Sequence, residues 1–169
     1  EWEAYQIAEV YSACREFGLV PPSMEQPQYN LFHRKRVEDH IMPLARDLGL
    51  GLTTFSPLYF GILTGKYNDG IPAGSRASHE DMAWLRERIT PERIAIVRQL
   101  TALAQELGLT TSQLAIAWVL RRKEVSSVIT GASRLEQLDE NLAAAEAVEK
   151  LTNDILERID AIFGENHFE

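Results

Sequence analysis

The stretch TTFSPLYFGILTGKY, residues 53–67, decides the fold. It begins as a β-strand, because Leu50, Leu52 and Thr54 alternate with Gly51 and a threonine. Pro57 ends that strand, since proline has no N–H to donate to a ladder. The loop that follows carries hydroxyls, two glycines and a lysine, the kind of loop with which α/β proteins hold anionic ligands. A purely structural loop remains an equal alternative at this point.

Outward from this stretch, strands alternate with helices. The patterns predict strands at 23–26, 51–55 and 126–130, and helices at 2–17, 34–48, 80–88, 91–107, 112–122, 134–146 and 153–163. This alternation indicates an α/β fold with parallel β/α units in a single domain, residues 1–169. Three strands leave two open sheet edges, so we expect the chain to be part of a larger sheet.

Individual residues set several of these boundaries. Gly18 and Gly49 are expected to end the first two long helices. Pro43 predicts a kink or a restart within the second helix. Thr90 and Thr111 are predicted to cap the two helices that follow the long insertion after the second strand. The strand at 23–26 is expected to be buried.

Composition excludes some classes of function. The chain has 17 Lys and Arg against 25 Asp and Glu, a formal net charge of −8, which argues against general nucleic-acid binding. No apolar run reaches the ~20 residues of a membrane span, and no signal-peptide pattern occurs, so we expect no membrane insertion. The single cysteine, Cys14, permits no internal disulfide and suits a cytoplasmic location. We interpret Cys14 as a small buried residue.

Ligands of parallel β/α folds bind at the carboxyl ends of the strands. Those ends are Gln26, the corner at 55–58 and the turn at 131–133. Ser133 lies where a helix begins, and first-turn N–H groups favour an anion. The positions 133, 137, 140 and 141 share one polar helix face, although a solvated face with a simple serine cap is an alternative.

Other ligand motifs are weak or missing from the sequence. Lys66 and Arg76 are cations within reach of such an anion, and either is also compatible with ordinary surface charge. The four histidines make no metal-binding pattern: His33, His40, His79 and His167. No GxGxxG, no GxxxxGK[ST] and no GxSxG occurs, and residues 61–66 only approach a phosphate loop.

Several blocks, in order, resemble the aldo-keto reductase family. They are EQPQY at 25–29, SPL at 56–58, GILTGKY at 61–67, GIP at 70–72 with SRAS at 75–78, QLAIAW at 113–118, and VSSVITGAS at 125–133 with QL at 137–138 and EN at 140–141. The similarity runs from about residue 2 to the carboxyl terminus. It is strongest to the branch that contains the β-subunits of voltage-gated potassium channels and their bacterial relatives.

This resemblance implies the carboxyl-terminal half of a (β/α)8 TIM barrel, with its last three strands, that binds NADPH in extended form. It places Gln26 at the nicotinamide carboxamide and Phe55 on the nicotinamide face, where channel β-subunits carry tryptophan. Ser56 and Leu58 would bind the pyrophosphate near Lys66. The whole implied cofactor-binding set is Gln26, Phe55, Ser56, Pro57, Leu58, Lys66, Arg76, Gly131, Ser133, Gln137, Glu140 and Asn141.

Within that set the adenosine end has its own residues. Arg76 and Ser133 would bind the adenosine side with its 2′-phosphate, and Gln137, Glu140 and Asn141 would hold ribose and adenine. Both strand-end sites derived from the residues would then share one long ligand, with cations where its phosphates lie.

The catalytic apparatus is expected to be incomplete. The family's catalytic Asp, Tyr, Lys and His lie in the amino-terminal half of the barrel, so the resemblance assigns no catalytic residue here, and neither Tyr59 nor Tyr67 qualifies as the proton donor. One hypothesis is the cofactor half of an NADPH-dependent reductase of aldehydes and ketones, which takes a carbonyl substrate once the barrel is complete. A second is a non-catalytic NADP(H)-binding regulatory module. Because open edges tend to pair, we also expect a homo-oligomer, with edge-to-edge joining of two copies as a third hypothesis.

Overall fold

A computed structural model of the protein describes residues 1–164. Its helices are α1 Ala4–Phe17, α2 Met42–Leu48, α3 Ala83–Arg86, α4 Pro91–Glu106, α5 Thr111–Leu120, α6 Leu135–Ala143 and α7 Asn153–Phe163. Its strands are β1 Met24–Glu25, β2 Gly51–Thr54 and β3 Val125–Val128. Short 3-10 segments lie at Tyr59–Thr64, Arg76–Ser78, Glu80–Met82 and Glu146–Lys150.

The three strands form one parallel sheet in the order β1-β2-β3. Met24 lies opposite Gly51, and Leu52 lies opposite Val125. The pairing continues beyond β1 and β2, since the N–H of Phe55 donates to the Pro27 carbonyl at 3.1 Å. The α/β class and the parallel sheet are thus confirmed. In the described part of the chain, β1 and β3 each have one unpaired edge.

Several helix boundaries agree with the predictions. Gly18 and Gly49 end α1 and α2 in the left-handed conformation, with φ of 64° and 68°. The hydroxyl of Thr90 caps α4 by accepting from the N–H of Arg93. The final helix has the predicted bounds, Asn153–Phe163. These helix boundaries could be predicted from the sequence because local capping chemistry and helical periodicity agree.

The prediction that Thr111 caps α5 is wrong. Thr110 is the capping residue, and it forms a reciprocal capping box with Gln113. Thr111 is instead buried, and its hydroxyl donates to the hydroxyl of Thr101 at 3.1 Å. Two adjacent threonines offer the same capping chemistry, and tertiary packing selects which one turns inward.

The second long helix is irregular, as Pro43 predicted. A π-helical turn, Val37–Ile41, precedes α2, and the N–H of Met42 bonds the Val37 carbonyl five residues back. Pro43 then falls at the start of α2, where its missing N–H is tolerated.

The strand predicted at 23–26 is not buried. Ser23, Met24 and Gln26 are all exposed, because β1 forms one edge of the sheet. The third strand lies one residue earlier than predicted at its start, and the helix predicted at 134–146 divides into α6 and a 3-10 segment. The helix predicted at 80–88 likewise divides into a 3-10 turn and α3.

The core lies between the sheet and the helices packed on it. Its largest fully buried side chains include Trp118 of α5, Tyr29 and Phe163. Trp118 packs on the ring of Tyr29 at 5.2 Å between centroids, and the Arg121 guanidinium lies 3.9 Å from the indole centroid. Cys14 is buried, as expected, with its sulfur beside the Val20 carbonyl.

A half-buried ionic cluster joins the π-helical turn to the end of α5. One carboxylate oxygen of Glu38 accepts from the Tyr29 hydroxyl at 2.5 Å and from Arg122 at 2.8 Å, with Arg121 at 3.3 Å. Burial alone would raise the pKa of the Glu38 carboxyl, but these donors together hold that pKa below its usual value. Burial, together with the nearby Glu38 carboxylate, raises the pKa of the Tyr29 hydroxyl.

Replacing Glu38 with glutamine is expected to reduce the acid sensitivity of the fold. A carboxyl whose folded-state pKa is lowered contributes stability above its unfolded-state pKa of about 4.3, and that stability is lost as pH falls through the folded-state pKa. The variant should have a lower free energy of unfolding at neutral pH and a shallower decline in acid. Urea unfolding across this range measures both. Asp69→Asn, at an exposed carboxylate, is the control, and a wild-type pH slope in Glu38→Gln would contradict the expectation.

Candidate functional site

The corner after β2 has an unusual backbone. Ser56, Tyr59 and Phe60 all have positive φ, at 54°, 44° and 57°. Left-handed conformations cost roughly 1–2 kcal/mol each for residues with a Cβ, so surrounding contacts must hold them. The Ser56 carbonyl accepts from the Tyr59 N–H and from the Asn30 side-chain amide, each at 3.0 Å. Strained backbone at the end of a parallel strand is typical of a functional corner.

Lys66 closes the same loop. Its ammonium lies 5.1 Å from the centroid of the Tyr67 ring and folds over Gly61. A Cβ at position 61 would lie 2.7 Å from the Lys66 nitrogen, and Gly61 has a φ of 93°. Glycine therefore both allows this turn and leaves room for the lysine side chain. Lys66 is exposed and has no carboxylate partner within residues 1–164.

Arg76 makes cation–π contacts with the rings of Phe60 and Trp84. Its guanidinium lies 5.9 Å from the Phe60 ring and 5.6 Å from the Trp84 ring, and those two rings meet edge to face at 5.1 Å. Arg86 fixes the surrounding loop by donating to the carbonyls of Ala77, His79 and Glu80. Arg76 is exposed, and no described carboxylate pairs with it. An exposed cation on a fixed loop is available to an anion.

The third strand end leads into α6. Gly131 is exposed, and a Cβ there would meet nothing within 4 Å. The N–H and hydroxyl of Ser133 both donate to the Gln137 side-chain oxygen, at 2.9 and 3.2 Å. The Thr110 hydroxyl donates to the Glu140 carboxylate at 2.6 Å. These groups form one polar surface between α6 and the start of α5.

A solvated polar face on α6 is the wrong interpretation. Gln137 and Glu140 are half-buried and Asn141 is buried, while Leu135, Leu138 and Leu142 on the same helix are exposed. Ser133 also does not occupy the capping position, which is Arg134, without a side-chain capping bond. Gln137, Glu140 and Asn141 of the predicted polar face therefore turn toward the protein, whereas Ser133 is exposed.

The carboxyl ends of the three parallel strands lie side by side at one end of the sheet. Gln28 pairs with Phe55, and the N–H of Ile129 donates to the Thr54 carbonyl at 2.8 Å. Gln26 is exposed beside this pairing, Phe55 is half-buried, and Pro57 is buried. Ser56 and Leu58 are half-buried at the corner itself. The structure thus brings the predicted residues of the first two strand ends next to the strand that leads to Gly131.

Three groups around the site were missed from the sequence. The Asn30 amide donates a hydrogen bond to the Ser56 carbonyl, and the Thr110 hydroxyl donates one to the Glu140 carboxylate. The Trp84 ring lies against the Arg76 guanidinium. The only sequence signal for any of them was an aromatic residue in the insertion after β2, because the contacts join residues far apart in the chain.

The described residues contain neither a helix that could cross a membrane nor a cluster of metal-binding side chains. Among the described helices, none combines the length and the apolar character that crossing a bilayer requires. Residues 1–164 also hold no group of three or more His, Cys, Asp or Glu side chains that could bind a metal ion. His167 lies outside the described residues.

Comparison with known proteins decides the family. The model of the aldo/keto reductase family matches residues 2–163. The chain belongs to the aldo/keto reductase family. A protein of Schizosaccharomyces pombe (strain 972 / ATCC 24843) named "Putative voltage-gated potassium channel subunit beta" is 44% identical to this aldo/keto reductase chain over 165 residues. The match covers 96% of this chain and 48% of that protein, so the chain spans about half the length of its relative.

Proposed function

We propose that this chain is the NADP(H)-binding, carboxyl-terminal half of an aldo-keto reductase barrel. The observation that carries the proposal is that three parallel strands end side by side, and that the strained corner at 56–60 follows the second of them. Arg76 lies against Phe60 of this corner, and the Lys66 ammonium lies next to Gly61. Aldo/keto reductase membership supports a nicotinamide cofactor at the carboxyl ends of the strands. In the complete protein, the cofactor would supply hydride to a carbonyl substrate, an aldehyde or ketone.

The residues present fit such a cofactor. Two exposed cations without described carboxylate partners, Lys66 and Arg76, suit phosphate groups. Gly131 leaves open space, and the half-buried Gln137 and Glu140 suit a ribose and an adenine. We assign the nicotinamide to Gln26 and Phe55, and the pyrophosphate to Ser56, Pro57 and Leu58. We assign the 2′-phosphate to Arg76 and Ser133, with Asn141 beside the adenine.

The pattern of exposed apolar residues supports the half-barrel. Within residues 1–164, every exposed large hydrophobic side chain except Ile71 lies on one of two flanks. The β1 flank consists of Trp2, Tyr5, Phe17, Leu19, Val20 and Met24. The β3 flank consists of Ile129, Leu135, Leu138 and Leu142. Each flank borders an open edge of the parallel sheet, which further strands and helices of the same barrel would cover.

Replacing Arg76 with glutamine is expected to weaken NADPH binding by about tenfold or more, and NADH binding much less, because a charge-assisted contact to the 2′-phosphate would be lost. Fluorescence titration of the full-length protein with each nucleotide measures the difference. Arg158→Gln removes another exposed arginine, which pairs with Glu106, and serves as the control. Absence of NADPH binding to the wild-type protein would refute the proposed function. An equal loss for both nucleotides would refute only the role of Arg76.

A non-catalytic NADP(H)-binding regulatory module is the second candidate. The 44% identity to a protein whose name describes a channel subunit favours it. The regulatory module predicts that the full-length protein binds NADPH but turns over no simple aldehyde. The reductase predicts both NADPH binding and aldehyde turnover. Neither candidate assigns a catalytic residue to this chain, and both suit a cytoplasmic protein that forms homo-oligomers.

A further inference from the structure

Asn30 is fully buried, and its side chain uses both its donor and its acceptor. The amide nitrogen donates to the Ser56 carbonyl at 3.0 Å, across 26 residues of sequence. The side-chain oxygen accepts from the N–H groups of Phe32 and His33, each at 3.0 Å. One side chain therefore ties the turn after β1 to the corner after β2.

The backbone of the turn is itself fixed. Asn30 and His33 exchange backbone hydrogen bonds at 3.2 and 3.0 Å, and the N–H of Tyr29 donates to the Phe55 carbonyl at 3.2 Å. The turn therefore fixes the position of the Asn30 amide, and the residue that accepts its hydrogen bond, Ser56, has a φ of 54°. A fixed donor aimed at a strained peptide favours the strained conformation.

We propose that Asn30 is a positioning residue that holds the Ser56 peptide in its left-handed conformation and so keeps the corner at 55–58 ready for a dinucleotide phosphate. This inference rests on the proposed cofactor function. Asn30 acts through the Ser56 carbonyl. When that bond is lost, a smaller fraction of molecules has a binding-competent corner, and the apparent affinity falls by that fraction.

Asn30→Asp separates the two halves of the side chain. Aspartate keeps an oxygen for the N–H groups of Phe32 and His33, but a carboxylate has no hydrogen to donate to the Ser56 carbonyl. In the full-length protein, NADPH affinity is expected to fall by about tenfold or more, since the Ser56 carbonyl loses one of its two donors and faces a carboxylate oxygen instead, with only the Tyr59 N–H remaining. Amide hydrogen exchange at residues 56–61 is expected to rise, while exchange in α4 and α7 changes little.

Two further variants isolate the positioning role. Asn30→Ser keeps a hydroxyl for the local turn but is too short to reach Ser56, so it should reproduce the effect if the aspartate variant does not fold. Ile155→Ala, at the start of α7 and about two turns before the Phe163 contact with Phe32, lowers stability and should leave NADPH affinity and exchange at 56–61 unchanged.

The outcomes distinguish this inference from the proposed function. Wild-type affinity and wild-type exchange at 56–61 in both Asn30 variants would overturn the positioning role, as would an increase in exchange spread evenly over the sheet and helices. If the wild-type protein binds no NADPH, the proposed function fails. The exchange measurement at 56–61 then still decides whether Asn30 holds the corner.

Discussion

Trp118→Ala is expected to lower the free energy of unfolding by about 3–5 kcal/mol, the usual cost of truncating a large buried aromatic side chain. Trp118 is fully buried in α5. It packs on Tyr29 and lies beneath the Arg121 guanidinium, so its removal also disturbs the cluster around Glu38. Equilibrium unfolding in urea, followed by circular dichroism, measures the loss.

Trp118→Phe is the matched comparison. Phenylalanine keeps a ring beside Tyr29 and beneath Arg121, and it removes an indole N–H that has no hydrogen-bond partner among the described residues. We expect a cost of about 0.5–3 kcal/mol, smaller than that of Trp118→Ala, because phenylalanine fills only part of the indole site. Similar losses for the two variants would show that a single aromatic ring at this position restores no packing against Tyr29 and Arg121, which would contradict the expected role of those ring contacts.

The helices were predicted well because their signals are local. The capping residue Thr90 and the left-handed Gly18 and Gly49 act within one turn of the chain. The exposure of β1 was not predictable in the same way, because it depends on which strand lies at the edge. A two-residue strand such as β1 also offers too few positions for an alternating pattern, whereas the alternation in β2 matches its burial, with Leu52 and Thr54 buried.

In the candidate site, too, features set by the local backbone could be predicted, and features set by tertiary contacts could not. Proline and glycine identified the corner after β2, because both act through the local backbone. The partner of that corner, Asn30, was missed, since its contact with Ser56 is made only when two strands lie side by side. For α6, periodicity identified a polar face, but only the packing against α5 shows that Gln137, Glu140 and Asn141 on that face turn inward.

Leu142→Asp and Val20→Asp are each expected to lower the free energy of unfolding of the full-length protein by more than about 3 kcal/mol, because an unpaired charge would be buried in place of an apolar side chain. Leu142 is 65% exposed on the β3 flank and Val20 is 93% exposed on the β1 flank. If the rest of a barrel covers both flanks, both side chains lie in its core-facing seams. Chemical unfolding of the full-length protein measures each loss.

Ile71→Asp distinguishes a covered flank from ordinary surface. Ile71 is 42% exposed, lies on the insertion after β2 and belongs to neither flank. A surface substitution of this kind changes stability by only about 0.5 kcal/mol. If Leu142→Asp and Val20→Asp have effects as small as that of Ile71→Asp, both flanks face solvent and the half-barrel proposal is wrong. A large effect at Leu142 alone would show that only the β3 edge is covered, which a closed barrel does not allow, because closure pairs both edges of the sheet.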